Sequence, residues 1–174
     1  GKIDTKTLGS KMEAKTFTTE QATFMKKAAE EAFIGMTAKD GGPFGAVIVK
    51  DGEIIASGHD MVITSYDPTA HAEIIVIREA SKLLQRLDLS DCELYSSCEP
   101  CSMCLGAIQC AKIKKVYFGC SRKDAEEIGF DDKFCFDVAK GVTTKEQVES
   151  KQVEREVCLE TLKEWKGLEV SIRA

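Results

Sequence analysis

The sequence predicts an α/β protein in which helices cover both faces of a central mixed sheet of about five strands. Three observations carry this reading. Apolar runs of strand length alternate with stretches of helical period. The first two runs flank Asp51-Gly52, a pair suited to a tight hairpin turn. The 174 residues are enough for one domain with a real core and too few for two comfortable ones. The expected domain covers residues 16–174, and residues 1–15, which show no apolar periodicity, are expected to be a flexible extension.

Taken in order, Thr18-Thr19-Glu20-Gln21 places a hydroxyl three residues before Gln, the pattern of a capping box. Phe24, Ala28, Ala32 and Met36 then recur at helical spacing, which predicts a helix of about 18 residues. Gly41-Gly42-Pro43 breaks it. Residues 46–49 and 53–56 read as two strands joined at Asp51-Gly52. Asp67-Pro68-Thr69 opens a segment with Ile74, Ile75, Ile77, Leu83 and Leu84, read as a buried helix. A strand at 93–96, a helix from about 101 to 110 and a strand at 115–119 follow. Gly129-Phe130-Asp131-Asp132 reads as a turn, 153–157 as an edge strand, and 159–165 as a closing helix. The Lys/Glu-rich run at 145–156 reads as a solvated face.

Composition narrows the function. The chain has 43% hydrophobic and 30% charged residues, which is neither a disordered nor a membrane composition, and no run of about 18 apolar residues could span a bilayer. With 24 Lys+Arg against 29 Asp+Glu the net charge is -5, which disfavours a nucleic acid as main partner. There are 8 Cys but no secretory leader pattern, so a reducing, cytoplasmic setting is expected rather than a disulfide scaffold.

Two stretches carry the chemistry: His71-Ala72-Glu73 at one predicted helix start and Pro100-Cys101-Ser102-Met103-Cys104 at another. Together they match the H-x-E…P-C-x-x-C pattern of zinc deaminases. An imidazole and two thiolates can hold Zn2+ with three protein ligands and leave a fourth position for water, the arrangement of a catalytic zinc. Such a metal makes hydroxide available near neutral pH. Helix N-termini favour the thiolate forms of Cys101 and Cys104. Glu73 lies two residues from His71, so a regular helix would not put both on one face. The pattern works only if the chain wraps the metal there, with Glu73 exchanging protons with water and leaving group.

Other readings use the same residues. Cys98 added to His71, Cys101 and Cys104 would close a structural zinc site and leave Glu73 without a role. Cys98-x-x-Cys101-x-x-Cys104 also imitates the start of an iron–sulfur run, but Ile108 stands where its next Cys belongs. A redox Cys-x-x-Cys needs no upstream His-x-Glu. Cys92, Cys110, Cys120, Cys135 and Cys158 are expected to fill the core, and His59 to end a strand with a satisfied hydrogen bond.

Gly41-Gly42-Pro43-Phe44-Gly45-Ala46, Asp67-Pro68-Thr69-Ala70-His71-Ala72-Glu73, the run from Ser97 to Ile108 and Gly129-Phe130-Asp131-Asp132 occur in this order. Over residues 24–136 the chain thereby resembles the guanine and guanosine deaminase group of the cytidine-deaminase-like zinc deaminases. The resemblance implies a three-layer α/β/α fold, a homodimer, one Zn2+ per chain on His71, Cys101 and Cys104, and Glu73 as the proton shuttle. It implies that Asp132 assists at the leaving amine and that Phe44, Asp60 and Ala72 bind substrate. From the residues alone Asp132 could equally cap a turn and Phe44 could equally be core.

The implied reaction is hydrolysis of guanine to xanthine and ammonia. Guanosine or deoxyguanosine is the alternative substrate, followed by a tRNA adenosine, and last a zinc-stabilised binding module without catalysis. Three positions depart from the group. Asp60 stands where an Asn is usual, replacing an amide with a group that normally only accepts, so Asp60→Asn is expected to improve turnover. Gln109-Cys110 stands where bulky aromatics are common, and residues 170–174 end without a pocket-covering aromatic. A roomier pocket would admit a nucleoside.

Overall fold

The computed structural model describes residues 16–132, 136–137, 139–141 and 149–168. The extension expected at 1–15 and Cys135 lie outside the described residues. Two compact units divide the chain after Asp132.

In the first unit the elements run α1 (Thr19–Thr37), β1 (Gly45–Lys50), β2 (Glu53–His59), α2 (Ala72–Leu84), β3 (Cys92–Cys98), α3 (Ser102–Cys110), β4 (Lys115–Cys120) and α4 (Arg122–Glu127). Thr18 caps α1 in the expected box: its hydroxyl accepts from the Gln21 N–H, and the Gln21 side chain accepts from the Thr18 N–H. Asp51 and Gly52 both have positive φ, 51° and 76°, which matches the twist of a two-residue hairpin between β1 and β2. The sheet order is β2-β1-β3-β4. β1 pairs antiparallel with β2 and β3, and β3 pairs parallel with β4 through the α3 crossover.

β1 decides the layering. Ala46 and Ile48 pack into one cluster with Ala72, Val76 and Ala80 of α2 and Ile108 of α3. Val47 and Val49 pack into the other with Phe24 and Ala28 of α1 and Tyr95 of β3. Successive side chains of a strand point to opposite faces, so this is a three-layer α/β/α arrangement with β1 buried on both sides. A side chain at Gly45 would collide with the Ala28 carbonyl and the Ala32 amide of α1. Glycine there lets the helix backbone meet the strand.

Several expectations change. The described residues hold four strands, not five. The strand expected at 153–157 is absent, because Arg155 already begins a helix, α5 (Arg155–Gly167), in the second unit. Val153 and Val157 are four apart among Glu and Arg, a helical rather than an alternating spacing. The described part of the charged run, 149–156, is exposed as expected. Helix α4 was not expected; Ser121 caps it, with Asp124 accepting in return. Leu83 and Met36, assigned to buried faces, are 60% and 46% exposed. Small residues, Ala72 and Ala80 with Val76, form the inner face of α2, while the inner face of α1 ends on Gly35. Cys92 is buried, but Cys110, Cys120 and Cys158 are exposed, so core filling holds for Cys92 alone of those four.

His59 ends β2 with both ring nitrogens engaged, Nδ1 3.0 Å from Glu31 of α1 and Nε2 2.8 Å from Asp40. Its burial opposes charging, but hydrogen bonds and charge from the two carboxylates outweigh it and raise the pKa above the ordinary value. Below the unfolded-state pKa the imidazolium stabilises the fold, and this stabilisation is lost as pH rises through the raised folded-state pKa. Urea unfolding should therefore show wild type losing about 1–2 kcal/mol more than His59→Gln between about pH 6 and pH 9. Parallel pH profiles for the two proteins would remove the charged His59 from the account.

Candidate active site

The starts of α2 and α3 meet. His71 is the N-cap of α2, with extended backbone (φ -67°, ψ 157°), so it lies outside the helical repeat that would have turned it away from Glu73. Cys101 is the N-cap of α3, also extended, and Cys104 lies in its first turn. His71 Nδ1 is 3.6 Å from Cys101 Sγ and 3.5 Å from Cys104 Sγ. The three ligand atoms all lie within 4.8 Å of one another. A tetrahedral zinc with Zn–N near 2.05 Å and Zn–S near 2.3 Å places N and S about 3.6 Å apart, so the donor set fits the metal. Cys98 does not complete a closed four-ligand site: its thiol points to the Ser121 carbonyl, 3.8 Å away.

The electrostatics agree with this donor set. Hydrogen bonding from the Cys104 thiol, with the His71 ring beside it, holds Cys101 at about 4 against the opposing effect of burial. Cys104 is pushed up by the bond it gives Cys101 and by burial. His71 is raised, first by its hydrogen bond to Cys101. Cys101 is thus readied as a thiolate, and a metal would displace the proton of Cys104.

Glu73, on the first turn of α2, is 5% exposed. Burial raises its pKa, partly opposed by hydrogen bonding at Cys104 and by His71. Ser96 of β3 lies 3.2 Å from its Oε1. A buried carboxyl beside a metal-binding group is placed for general acid–base work.

A cavity of about 500 Å3 opens onto this group. Phe44, Asp60, His71, Glu73, Cys101 and Asp132 all line it, so most of the expected site residues come together. Phe44 packs edge-to-face on Phe130 with centroids 4.9 Å apart, and also touches the α2-side core. Asp132 has Arg122 Nε 4.0 Å away; burial raises its carboxyl, Arg122 opposes and Cys101 adds to the rise. Ala72 is not among the lining residues. It is fully buried in the core, so what it can offer a ligand is its N–H at the helix start.

Asp60 has a role that local sequence could not reveal. It is 5% exposed, its Oδ2 accepts from the Gly42 N–H at 3.0 Å and its Oδ1 from the Val62 N–H at 3.1 Å. It braces the loop that carries Phe44. A side chain at Gly42 would strike the Phe44 ring, 2.8 Å away, so the glycine fixes that ring too. Glu99, Arg122 and Phe130 also line the cavity, and nothing in their local sequence assigns them a role there. Glu99 accepts from the Arg122 N–H at 3.0 Å and holds the start of α4.

Comparison with known proteins agrees. Residues 18–120 match the model of the cytidine and deoxycytidylate deaminase zinc-binding region. The chain is similar to guanine deaminase of Bacillus subtilis, 57% identical over 114 residues, 66% of this chain and 73% of that protein. The crystal structure of the Bacillus subtilis guanine deaminase superposes with a TM-score of 0.80 at 45% identity, covering 88% of this chain and 97% of the other. A tRNA-specific adenosine deaminase of Aquifex aeolicus is 46% identical over 95 residues, 55% of this chain and 62% of that protein. A mutant protein solved in complex with 8-azaguanine matches with a TM-score of 0.61 at 35% identity, covering 66% of each chain.

The two backbone donors reverse the effect expected of Asp60→Asn. An Asn oxygen can take one N–H, which leaves its NH2 facing the other. Asp60→Asn should lower unfolding free energy by about 1–3 kcal/mol in urea titrations and give no gain in turnover. A faster, equally stable variant would show that the carboxylate does not brace the loop.

Proposed function

The chain belongs to the cytidine and deoxycytidylate deaminase zinc-binding family, and from that membership we propose that it is a zinc-dependent aminohydrolase converting guanine to xanthine and ammonia. The observation that carries the chemistry is the buried carboxyl of Glu73 beside a His71, Cys101 and Cys104 triad of zinc-fitting spacing. The substrate follows from similarity: the Bacillus guanine deaminase matches at 57% identity, the Aquifex tRNA deaminase at 46%. Charge supports the choice. The cavity is lined by Asp60, Glu73, Glu99, Asp131 and Asp132, with Arg122, a poor surface for a polyanion.

His71, Cys101 and Cys104 would hold the zinc. When bound, the metal would supply a water activated for attack near neutral pH. Phe44 packs against the purine, with Phe130 edge-to-face on its ring and Asp60 bracing its loop. Glu73 takes a proton from the attacking water as its oxygen bonds to ring C2, and passes it to ring N3. It then takes the proton of the new hydroxyl and delivers it to the exocyclic nitrogen. The C2–N bond breaks, ammonia leaves, and the C2 carbonyl of xanthine remains. Asp132, its carboxyl raised by burial, stands at the departing amine.

We also infer a homodimer. Helix α3 carries no charged residue and exposes Met103 and Leu105, and Phe118 of β4 is 48% exposed, an apolar surface suited to a second copy. No described helix is long and apolar enough to cross a membrane. The described cysteines are all free, which supports a cytoplasmic location.

Ammonia release should be measured with guanine, guanosine, adenine, cytosine and a tRNA as substrates. Guanine should be turned over fastest. Glu73→Gln should keep its zinc and lose about 10²–10⁴-fold in kcat. Faster release from guanosine or tRNA would move the substrate, and a zinc-loaded Glu73→Gln of full activity would remove Glu73 from the reaction. In sedimentation the active species should be a dimer; a monomer with full activity would contradict that assembly.

A further inference from the structure

We propose that Ser96 is a positioning residue for the deamination, holding Oε1 of the Glu73 carboxyl with its buried hydroxyl. The proposal rests on the reading of Glu73 as the proton carrier. Ser96 is 1% exposed and projects from β3 on the same side as Leu94, toward α2 and α3. Its Oγ lies 2.7 Å from the Cys98 carbonyl oxygen and 3.2 Å from Glu73 Oε1.

A hydroxyl has one proton to give and lone pairs to accept with, whereas a carbonyl oxygen only accepts. The Ser96 O–H can be given to the Cys98 carbonyl or to Oε1, and the bond to Oε1 fixes the carboxyl and leaves its other oxygen to carry the proton. In a site this buried an unpartnered carboxyl would move or draw in water. The same hydroxyl also ties Glu73 to the end of β3, three residues before Cys101, so proton carrier and metal loop share one anchor.

A purely structural serine would make the same bond to Cys98, so the test must separate the two roles. Steady-state kinetics on guanine and zinc content should be measured for Ser96→Ala, Ser96→Thr, Glu73→Gln and the Glu73→Gln/Ser96→Ala double variant. Ser96→Ala should keep its zinc, lose about 10-fold or more in kcat and change KM by less than about twofold. Ser96→Thr, which restores the hydroxyl, should recover most of the rate. In the Glu73→Gln background, Ser96→Ala should cost less than about twofold, because the carboxylate it serves is gone. Wild-type kcat in Ser96→Ala, loss of kcat only in proportion to lost zinc, or an equal loss in the Glu73→Gln background would each overturn the proposal. A fully active Glu73→Gln would instead show that the reading of Glu73 is at fault.

Discussion

Two helix N-termini aimed at one point are the constraint on which the site depends. Each presents unsatisfied N–H groups and a partial positive charge, so bringing them together is favourable only if negative charge lies between them. Cys101 supplies it, with His71 at the other helix start. The thiol group that ionises first, Cys101, is the N-cap itself. A metal held by His71, Cys101 and Cys104 would complete the balance, since it would displace the Cys104 proton and neutralise thiolates that the helix ends only partly offset.

The sheet brings the helix ends to that point. β1 is buried on both faces and pairs with β2 and β3, so it fixes α1 on one side and α2 with α3 on the other. The small inner face of α2 and the bare backbone at Gly45 let helices approach the strand closely. Swapping a small residue for a large one there would push the start of α2 or the loop of Phe44 away from the cavity. Precision at the site is thus held in part by close packing behind it.

Much of this was legible in local sequence, for a physical reason. The Thr18 box, the Asp51-Gly52 turn and the His71 and Cys101 helix starts are short-range features whose partners lie within a few residues. The zinc donors were legible because metal chemistry restricts ligand type and spacing. What escaped depends on long-range partners. Asp60 meets Gly42 18 residues away, Ser96 meets Glu73 23 away, and Glu99 meets Arg122 23 away. No periodicity encodes those pairs. Exposure was misjudged for the same reason, since Leu83 and Cys120 are apolar enough for a core but lie on surfaces the fold leaves open. The strand expected at 153–157 failed differently, through Val residues read without their spacing.

The acids around the cavity bear on what it can admit. With Asp60, Glu73, Glu99, Asp131 and Asp132 lining the cavity beside Arg122, a phosphate would enter against the field. A neutral ring with N–H and amino groups at its edges would not. Asp60 shows that these acids are not mere excess of charge: each of its oxygens is held by a backbone N–H, so it braces the loop. Glu73 differs, because a side chain and not the backbone of a loop holds its Oε1: the Ser96 hydroxyl, from the end of β3 next to the loop that carries Cys101. Asp60 thus serves the loop that holds Phe44, while the anchor of Glu73 belongs to the strand that leads into the candidate metal site, which is where the proposed proton carrier has to be kept in register.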